Sequence, residues 1–390
     1  MEVSMKCNLR GCASARVSLY AAGALAVALC AASHATAVEP DIPRIQAKAE
    51  RGSIQQEIEL ASAYFAGHGV GRDEKQAAYW YEKAANSGDS GAQLQIGFFY
   101  EAGIGVERDP ARAARWFERA VAGGSVAAKV NLGVAYMWGT GVRKDPEFAA
   151  KLFREAAEKR NGAGACFLGN AYYFGVGVEK DMDKARHWFE VAAKKHDPQG
   201  EFSLAILLLR QPGQGDEQRA MKLLREAAKS SYVAARHELA LQLVRKPEFS
   251  SAPQEGLEQL QEASSEGFWK STVVLGVLYR EGRGVSQDAE TAYLQFRIAA
   301  LQGGDAATKM VQNDIRALEP ALGSSRIERL NEKAADWMAS HNRRLEFIRY
   351  PNGGRDFPTF ALAYPEEGIH AGRIYPVGGS EDLPGETFQP

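Results

Sequence analysis

Apolar residues along most of the chain recur at three- and four-residue spacing, in short segments separated by glycine-rich turns. The segment "AAKVNLGVAYMWG", residues 127–139, has this spacing, and "DPARAARWFERAVAGG", residues 109–124, has it too. Such spacing places the apolar side chains on one face of an α-helix. The pattern therefore predicts an all-α chain built from pairs of short amphipathic helices.

These helix pairs recur at a fixed period. A turn of the form G-x-G-V recurs at a spacing of 36 residues at Gly67, Gly103, Gly139 and Gly175, and it appears again at Gly282. A tyrosine precedes the first glycine of each turn by three residues: Tyr64, Tyr100, Tyr136, Tyr172 and Tyr279. A glycine loop that binds phosphate is expected once, whereas a loop recurring at a fixed period indicates a repeat architecture.

Each unit carries further residues suited to a helical turn. The second glycine of each turn can adopt a positive φ and end the first helix. An aspartate four residues later, such as Asp145, is a candidate N-cap for the second helix. A glycine inside the first helix, such as Gly133, leaves room for the paired helix. Small pairs such as Ala227-Ala228 continue the period downstream and indicate about seven units, of which units five and six, about 200–265, lack the G-x-G-V turn.

The motif A-x-x-x-L-G-x-x-Y-x-x-G-x-G-V-x-x-D-x-x-x-A-x-x-W-F/Y-x-x-A-A resembles the Sel-1-like repeat, a relative of the tetratricopeptide repeat. The resemblance implies a right-handed superhelical solenoid of antiparallel helix pairs. The solenoid is expected over 52–318, with an N-terminal capping half-repeat over 38–51 and a capping helix over 319–345 that opens with Ser325 and Glu328.

The two ends of the chain differ from the repeats. Residues 1–37 combine basic residues, a short apolar run and the small-residue site "ATA", which predicts a cleaved signal peptide and a periplasmic or secreted protein. No later stretch is long and apolar enough to predict a membrane span in the mature chain. Residues 346–390 are rich in proline, glycine and aromatic residues, and predict an irregular tail that is either loose or docked as an extended arm.

The composition contains no signature of catalysis or nucleic-acid binding. The formal net charge is −2 and no basic block is present, so no nucleic-acid partner is expected. The histidines are scattered, which predicts no metal site, and no nucleophile motif or cofactor loop stands out. Cys166 aligns with the apolar residues Leu94 and Val130 and is interpreted as a buried small hydrophobic residue. We therefore expect no enzymatic activity and no cofactor.

The resemblance implies that the first helix of each unit lines a concave face. Residues one, four and five positions after the helix glycine would then point inward and could bind a partner. The candidate residues are Phe65, Phe98, Glu101, Met137, Trp138, Asn170, Tyr173 and Phe174. The alternative is that these rings pack on neighbouring helices.

The resulting hypothesis is a non-enzymatic, exported scaffold that binds a protein or an extended peptide through this aromatic surface, as an adaptor or regulator in the cell envelope. Two alternatives stay open at this point. The tail could act as an inhibitor or catalytic module on a passive scaffold, or the aromatic groove could bind carbohydrate.

Overall fold

The computed structural model describes residues 40–210, 213, 215–246, 253–348, 369–370 and 373–374. The predicted signal peptide and most of the predicted tail lie outside these residues. In the tail, Ile369–His370 (β1) and Arg373–Ile374 (β2) pair antiparallel, with Ile369 opposite Ile374. Everything else that is regular within the described residues is helical, which confirms the all-α prediction.

The helices form successive pairs. The first helices of the pairs are α2 Ile54–Ala66, α4 Ser90–Ala102, α6 Val126–Trp138, α8 Gly162–Phe174, α10 Pro198–Arg210, α12 Val233–Arg245 and α14 Trp269–Glu281. The second helices are α3 Glu74–Asn86, α5 Pro110–Ala122, α7 Pro146–Glu158, α9 Met182–Ala193, α11 Asp216–Lys229, α13 Gln254–Ser265 and α15 Ala289–Leu322. Each helix packs on the next along the chain, and α8 also contacts α6 and α10, so these three first helices lie side by side.

Two further helices lie at the ends of this array. Helix α1, Ile42–Glu50, occupies the predicted N-terminal half-repeat. Helix α16, Ser324–Ile348, follows α15, which continues past a kink at Gly304 as far as Leu322. Ser325 therefore lies inside α16 instead of capping it, and the interpretation of Ser325 and Glu328 as a capping box was wrong. The helix begins one residue earlier because the main chain turns at Gly323, which has a φ of 73°.

The first glycine of each turn ends the first helix. Gly139 is the left-handed C-cap of α6, with a φ of 70°, and its N–H donates to the Ala135 carbonyl. We expected the second glycine to do this, but Gly141 has a different role. Its φ is also positive, at 74°, and a Cβ there would overlap the carbonyl oxygen of Pro110 in the preceding unit. The second glycine thus lets each turn rest on the start of the previous second helix.

The repeated tyrosine and aspartate hold the same turn. The Asp145 N–H donates to the Tyr136 carbonyl at 2.8 Å, and one Asp145 carboxylate oxygen accepts from the Phe148 N–H at 2.9 Å. Asp145 therefore joins the two helices of its unit and caps the second one, as predicted. The same pair of bonds recurs in the other units with this turn, at Asp73, Asp109, Asp181 and Asp288.

The glycine inside the first helix has the predicted packing role. A Cβ at Gly133 would lie 2.5 Å from the ring of Phe153 on α7, and Phe153 is fully buried. The same ring-on-glycine contact recurs between Gly97 and Phe117, Gly169 and Phe189, and Gly276 and Phe296. The core is therefore a row of aromatic rings lodged against helix backbones between the two helix layers.

Candidate binding surface

The last residues of the first helices occupy equivalent positions in successive units. We call this set the helix-end row. In chain order it reads Ala66, Ala102, Trp138, Phe174, Arg210, Arg245 and Glu281. Because α6, α8 and α10 lie side by side, Trp138, Phe174 and Arg210 are neighbours along one edge of the helix layer. The row changes from small to aromatic to cationic along the chain and ends in the acidic Glu281.

Trp138 and Phe174 form the aromatic part of the row. Trp138 is 40% exposed and Phe174 is 37% exposed, although rings elsewhere in the first helices are largely covered. Val176, in the turn that follows Phe174, is 38% exposed as well. Two large rings in neighbouring units therefore remain accessible where the units carrying Ala66 and Ala102 present only methyl groups.

Phe174 is held by its neighbour Tyr173. The two rings pack edge to face, with centroids 5.0 Å apart. The Tyr173 hydroxyl in turn accepts a hydrogen bond from Arg210 Nη1 at 2.9 Å, across the boundary between two units. Because this bond restrains Tyr173, the exposed face of Phe174 is presented in a defined orientation.

The other predicted binding residues differ in how far they are exposed to solvent. Phe65, Phe98 and Glu101 are partly buried, and the Phe65 ring packs against Phe99 with centroids 5.3 Å apart. Met137 and Asn170 are buried, at 8% and 6% exposure, so these two side chains lie beneath the surface instead of on it. Adjacent positions on a helix are about 100° apart, so Met137 turns into the core when Trp138 faces outward.

Asn170 belongs to a small buried polar group. Its Nδ2 lies 3.9 Å from the Sγ of Cys166, and that sulfur lies 3.9 Å from the Ser203 hydroxyl on α10. Cys166 is fully buried, as predicted, and burial raises the pKa of its thiol well above the usual value. A thiolate is the reactive form, so this environment suits a structural cysteine and not a nucleophile.

Glu101 has an unusual carboxyl group. Burial raises its pKa to about 7, and the nearby Arg108 guanidinium lowers it only in part. The Arg108 Nε donates to the Glu101 main-chain carbonyl at 3.0 Å, not to the carboxylate. The carboxyl therefore gains and loses its proton near neutral pH.

A Glu101→Gln variant is expected to gain stability relative to the wild type as the pH rises. The unfolded carboxyl titrates near 4.5 and the folded one near 7, so the folded wild type binds the extra proton between these values. The stability that the folded wild type gains from this extra proton is fully present below the lower pKa and is lost as the pH rises through the upper pKa. Urea unfolding of both proteins at about pH 5, 6, 7 and 8 measures this. A stability difference that does not change with pH would contradict the assignment.

Arg210 and Arg245 are not among the binding residues predicted from the sequence. Units five and six lack the glycine turn that marks the helix end, so their last residues could not be aligned by motif. Phe174 lies 18 residues before Ala192, and the same count back from Ala263 reaches Arg245, whereas from Ala227 it reaches Leu209, one residue before Arg210.

Among the residues that the structure describes, no group of three or more histidine, cysteine, aspartate or glutamate side chains could hold a metal ion. None of the described helices is long and apolar enough to cross a bilayer.

Comparison with known proteins decides the family. The Sel1 repeat matches six segments, residues 57–89, 90–125, 126–161, 162–197, 198–232 and 271–304. The chain belongs to the Sel1 repeat family. The helix pair α12 and α13, in degenerate unit six, lies between the last two matched segments. No curated protein was similar enough in sequence to match.

One solved structure shows the same repeat fold, and two more distant ones are also similar. A Sel1 repeat protein from Oxalobacter formigenes is 26% identical, with a TM-score of 0.51, and the match covers 70% of this chain and 79% of that one. A protective antigen of uropathogenic Escherichia coli with an SLR fold is 19% identical at a TM-score of 0.37, covering 85% and 84%. The immunity protein Pa5087 from Pseudomonas aeruginosa is 19% identical at a TM-score of 0.37, covering 63% and 89%.

Proposed function

We propose that this Sel1 repeat protein is a non-enzymatic scaffold that binds an extended segment of a partner protein across Trp138 and Phe174. The observation that carries the proposal is the exposure of two large rings at equivalent helix ends of neighbouring units. Exposed apolar side chains that lie together mark interaction sites, and aromatic side chains contribute most to the binding energy of such sites.

The rigidity of the surface supports the proposal. The helix ends at Trp138 and Phe174 are each followed by a left-handed glycine and a capping aspartate, and Tyr173 is tied to the next unit by Arg210. A preorganised surface loses little conformational entropy when a ligand binds. An extended peptide can cover both rings because it follows the row from one unit to the next, and its affinity would come from burying the rings.

The proposal includes export of the chain. The basic residues, apolar run and small-residue site of residues 1–37 are typical of a cleaved signal peptide. We place the mature scaffold in the periplasm or outside the cell, where it would act as an adaptor or regulator. The intact mass of the protein isolated from its host would test this, and a mass retaining residues 1–37 would contradict export.

Loss of both rings is expected to abolish peptide binding. A library of random extended peptides is displayed on phage and selected on the full chain, and the best sequences are synthesised. Replacing two central aromatic anchors commonly weakens an interface about a hundredfold or more, so Trp138→Ser/Phe174→Ser should lose the selected peptides. Calorimetry measures the affinities.

The matched control is Tyr79→Ser. Tyr79 is 57% exposed but lies on the second helix α3, so it should bind the selected peptides like the wild type. Thermal unfolding of all three proteins verifies that they fold, since the replaced rings are exposed. Equal binding by the double variant, or a selection that enriches no peptide, would overturn the proposal. Binding of oligosaccharides in place of peptides would replace it with a carbohydrate-binding function.

A further inference from the structure

The helix-end row continues past the two rings into two arginines. Arg210 and Arg245 are the last residues of α10 and α12, one and two units beyond Phe174. Their place in the row gives the proposed peptide surface a second, charged half. The inference that follows rests on the proposed function and specifies which peptides the surface accepts.

Arg210 connects the aromatic and charged halves. It is exposed, and only its bond to the Tyr173 hydroxyl joins its guanidinium to another described side chain. A guanidinium has five N–H donors, and a tyrosine hydroxyl occupies one of them. The remaining donors of Arg210 lie beside the exposed Phe174 and are open to an anionic group.

Arg245 is partly exposed at the end of α12. Its Nε is buried and makes no hydrogen bond, and neither Arg245 nor Arg210 forms an ion pair with a carboxylate among the described residues. Other arginines of the same two units are paired, since Arg225 binds Glu255 and Arg236 binds Glu266. A buried guanidinium nitrogen without a partner is uncommon in native proteins.

One carboxyl group is close enough to both arginines for their charges to act on it. Glu238 on α12 is buried and bonds Gln242 at 2.5 Å, and both arginines act to lower its pKa. Burial has the larger effect and raises that pKa, so the charged form of Glu238 is disfavoured. Two guanidinium charges and at most one buried carboxylate leave this part of the row net positive.

We propose that the helix-end row recognises an extended peptide carrying large apolar side chains followed, one unit further along, by acidic side chains. Packed helices lie about 8–10 Å apart and an extended chain rises about 3.3 Å per residue. One unit therefore corresponds to about three peptide residues. The apolar side chains cover Trp138 and Phe174, and the acidic ones bind Arg210 and Arg245.

The test uses defined peptides and the full chain. The acidic probe is a labelled peptide with Trp, Leu, Glu and Glu at every third position and Gly-Ser spacers, in both chain directions. The neutral probe has Gln in place of both Glu residues. Fluorescence anisotropy is expected to show at least about tenfold tighter binding of one acidic probe than of its neutral form, because charge-assisted contacts are the strong ones. This preference should weaken with added salt.

The variants separate recognition from folding. Arg210→Gln/Arg245→Gln should bind the acidic and neutral probes alike. Arg115→Gln/Lys222→Gln removes the same charge from exposed positions on the second helices α5 and α11 and should keep the preference. The single variant Arg210→Gln, at an exposed position, should lose part of the preference even if the double variant unfolds.

An arginine in the last turn also stabilises a helix through its dipole. That role alone would lower the melting temperature of the arginine variants and leave the wild type equally tight for both probes. If the wild type binds the two probes equally tightly, the charged half of the surface is overturned. The proposed function is kept in that case if Trp138→Ser/Phe174→Ser abolishes the binding. If no probe binds and the phage selection enriches no peptide, both the acidic-peptide proposal and the proposed function are overturned.

Discussion

Replacing Gly141 by alanine is expected to destabilise the protein by about 3 kcal/mol or more, from a left-handed backbone and a steric overlap acting together. Gly141 has a φ of 74°, which an L-residue adopts at a cost of about 1–2 kcal/mol. The new Cβ would also overlap the Pro110 carbonyl at the start of α5. That carbonyl belongs to helix backbone and has little freedom to move, so the turn must move away from its contact with the preceding unit.

Two other glycines separate these contributions. Gly124 has a φ of 87° with open space around its Cβ position, so alanine there tests the backbone alone. Gly71 has open space and no positive φ, so alanine there should be neutral or slightly stabilising. Urea midpoints should fall in the order Gly71→Ala, Gly124→Ala, Gly141→Ala. Equal midpoints for the last two would contradict the described contact between the turn and the preceding unit.

The pair Gly133 and Phe153 is expected to show strong energetic coupling. An alanine Cβ at position 133 would lie 2.5 Å from the Phe153 ring, so Gly133→Ala should cost about 1–3 kcal/mol. Phe153 is fully buried and also stacks on Phe167, with centroids 5.0 Å apart, so truncating it to leucine leaves a cavity that destabilises the core. In the double variant the alanine methyl partly fills that cavity. The loss of stability should therefore be smaller than the sum of the losses in the two single variants.

A double-mutant cycle measures this coupling, for which contacting residues typically give about 0.5–3 kcal/mol. The matched control combines Gly133→Ala with Phe189→Leu, because Phe189 packs on Gly169 one unit further along. That pair should be additive within the error of the cycle. Additivity in the Gly133 and Phe153 cycle would contradict ring-on-glycine packing as the contact that joins the two helix layers.

The sequence predicted the fold because its signals are local and recur. A left-handed glycine, a capping aspartate and a helix glycine each have one dominant structural use. The structure assigns all three in four of the five units with the G-x-G-V turn, and the first of the five has Ala61 in place of the helix glycine. The chain belongs to the Sel1 repeat family, as the resemblance implied. The right-handed superhelix and the concave position of the row stay predictions.

The binding surface was harder to predict because exposure depends on neighbouring units. Trp138 and Met137 are adjacent in sequence, yet one is 40% exposed and the other 8%. Consecutive helix residues point about 100° apart, so a face assigned by analogy does not determine which of the two is exposed. Arg210 and Arg245 were missed for a different reason, since their significance comes from lying one after the other in a row that only the packed helices define.

The most direct test of the central claim locates a bound peptide on the chain. A phage-selected peptide carrying a benzophenone at its main apolar position is photocrosslinked to the full protein, and the adducts are mapped by mass spectrometry. We expect adducts within 134–141 and 170–178, the segments that contain Trp138 and Phe174. Adducts confined to the second helices, or spread evenly over the chain, would contradict the helix-end row as the binding surface.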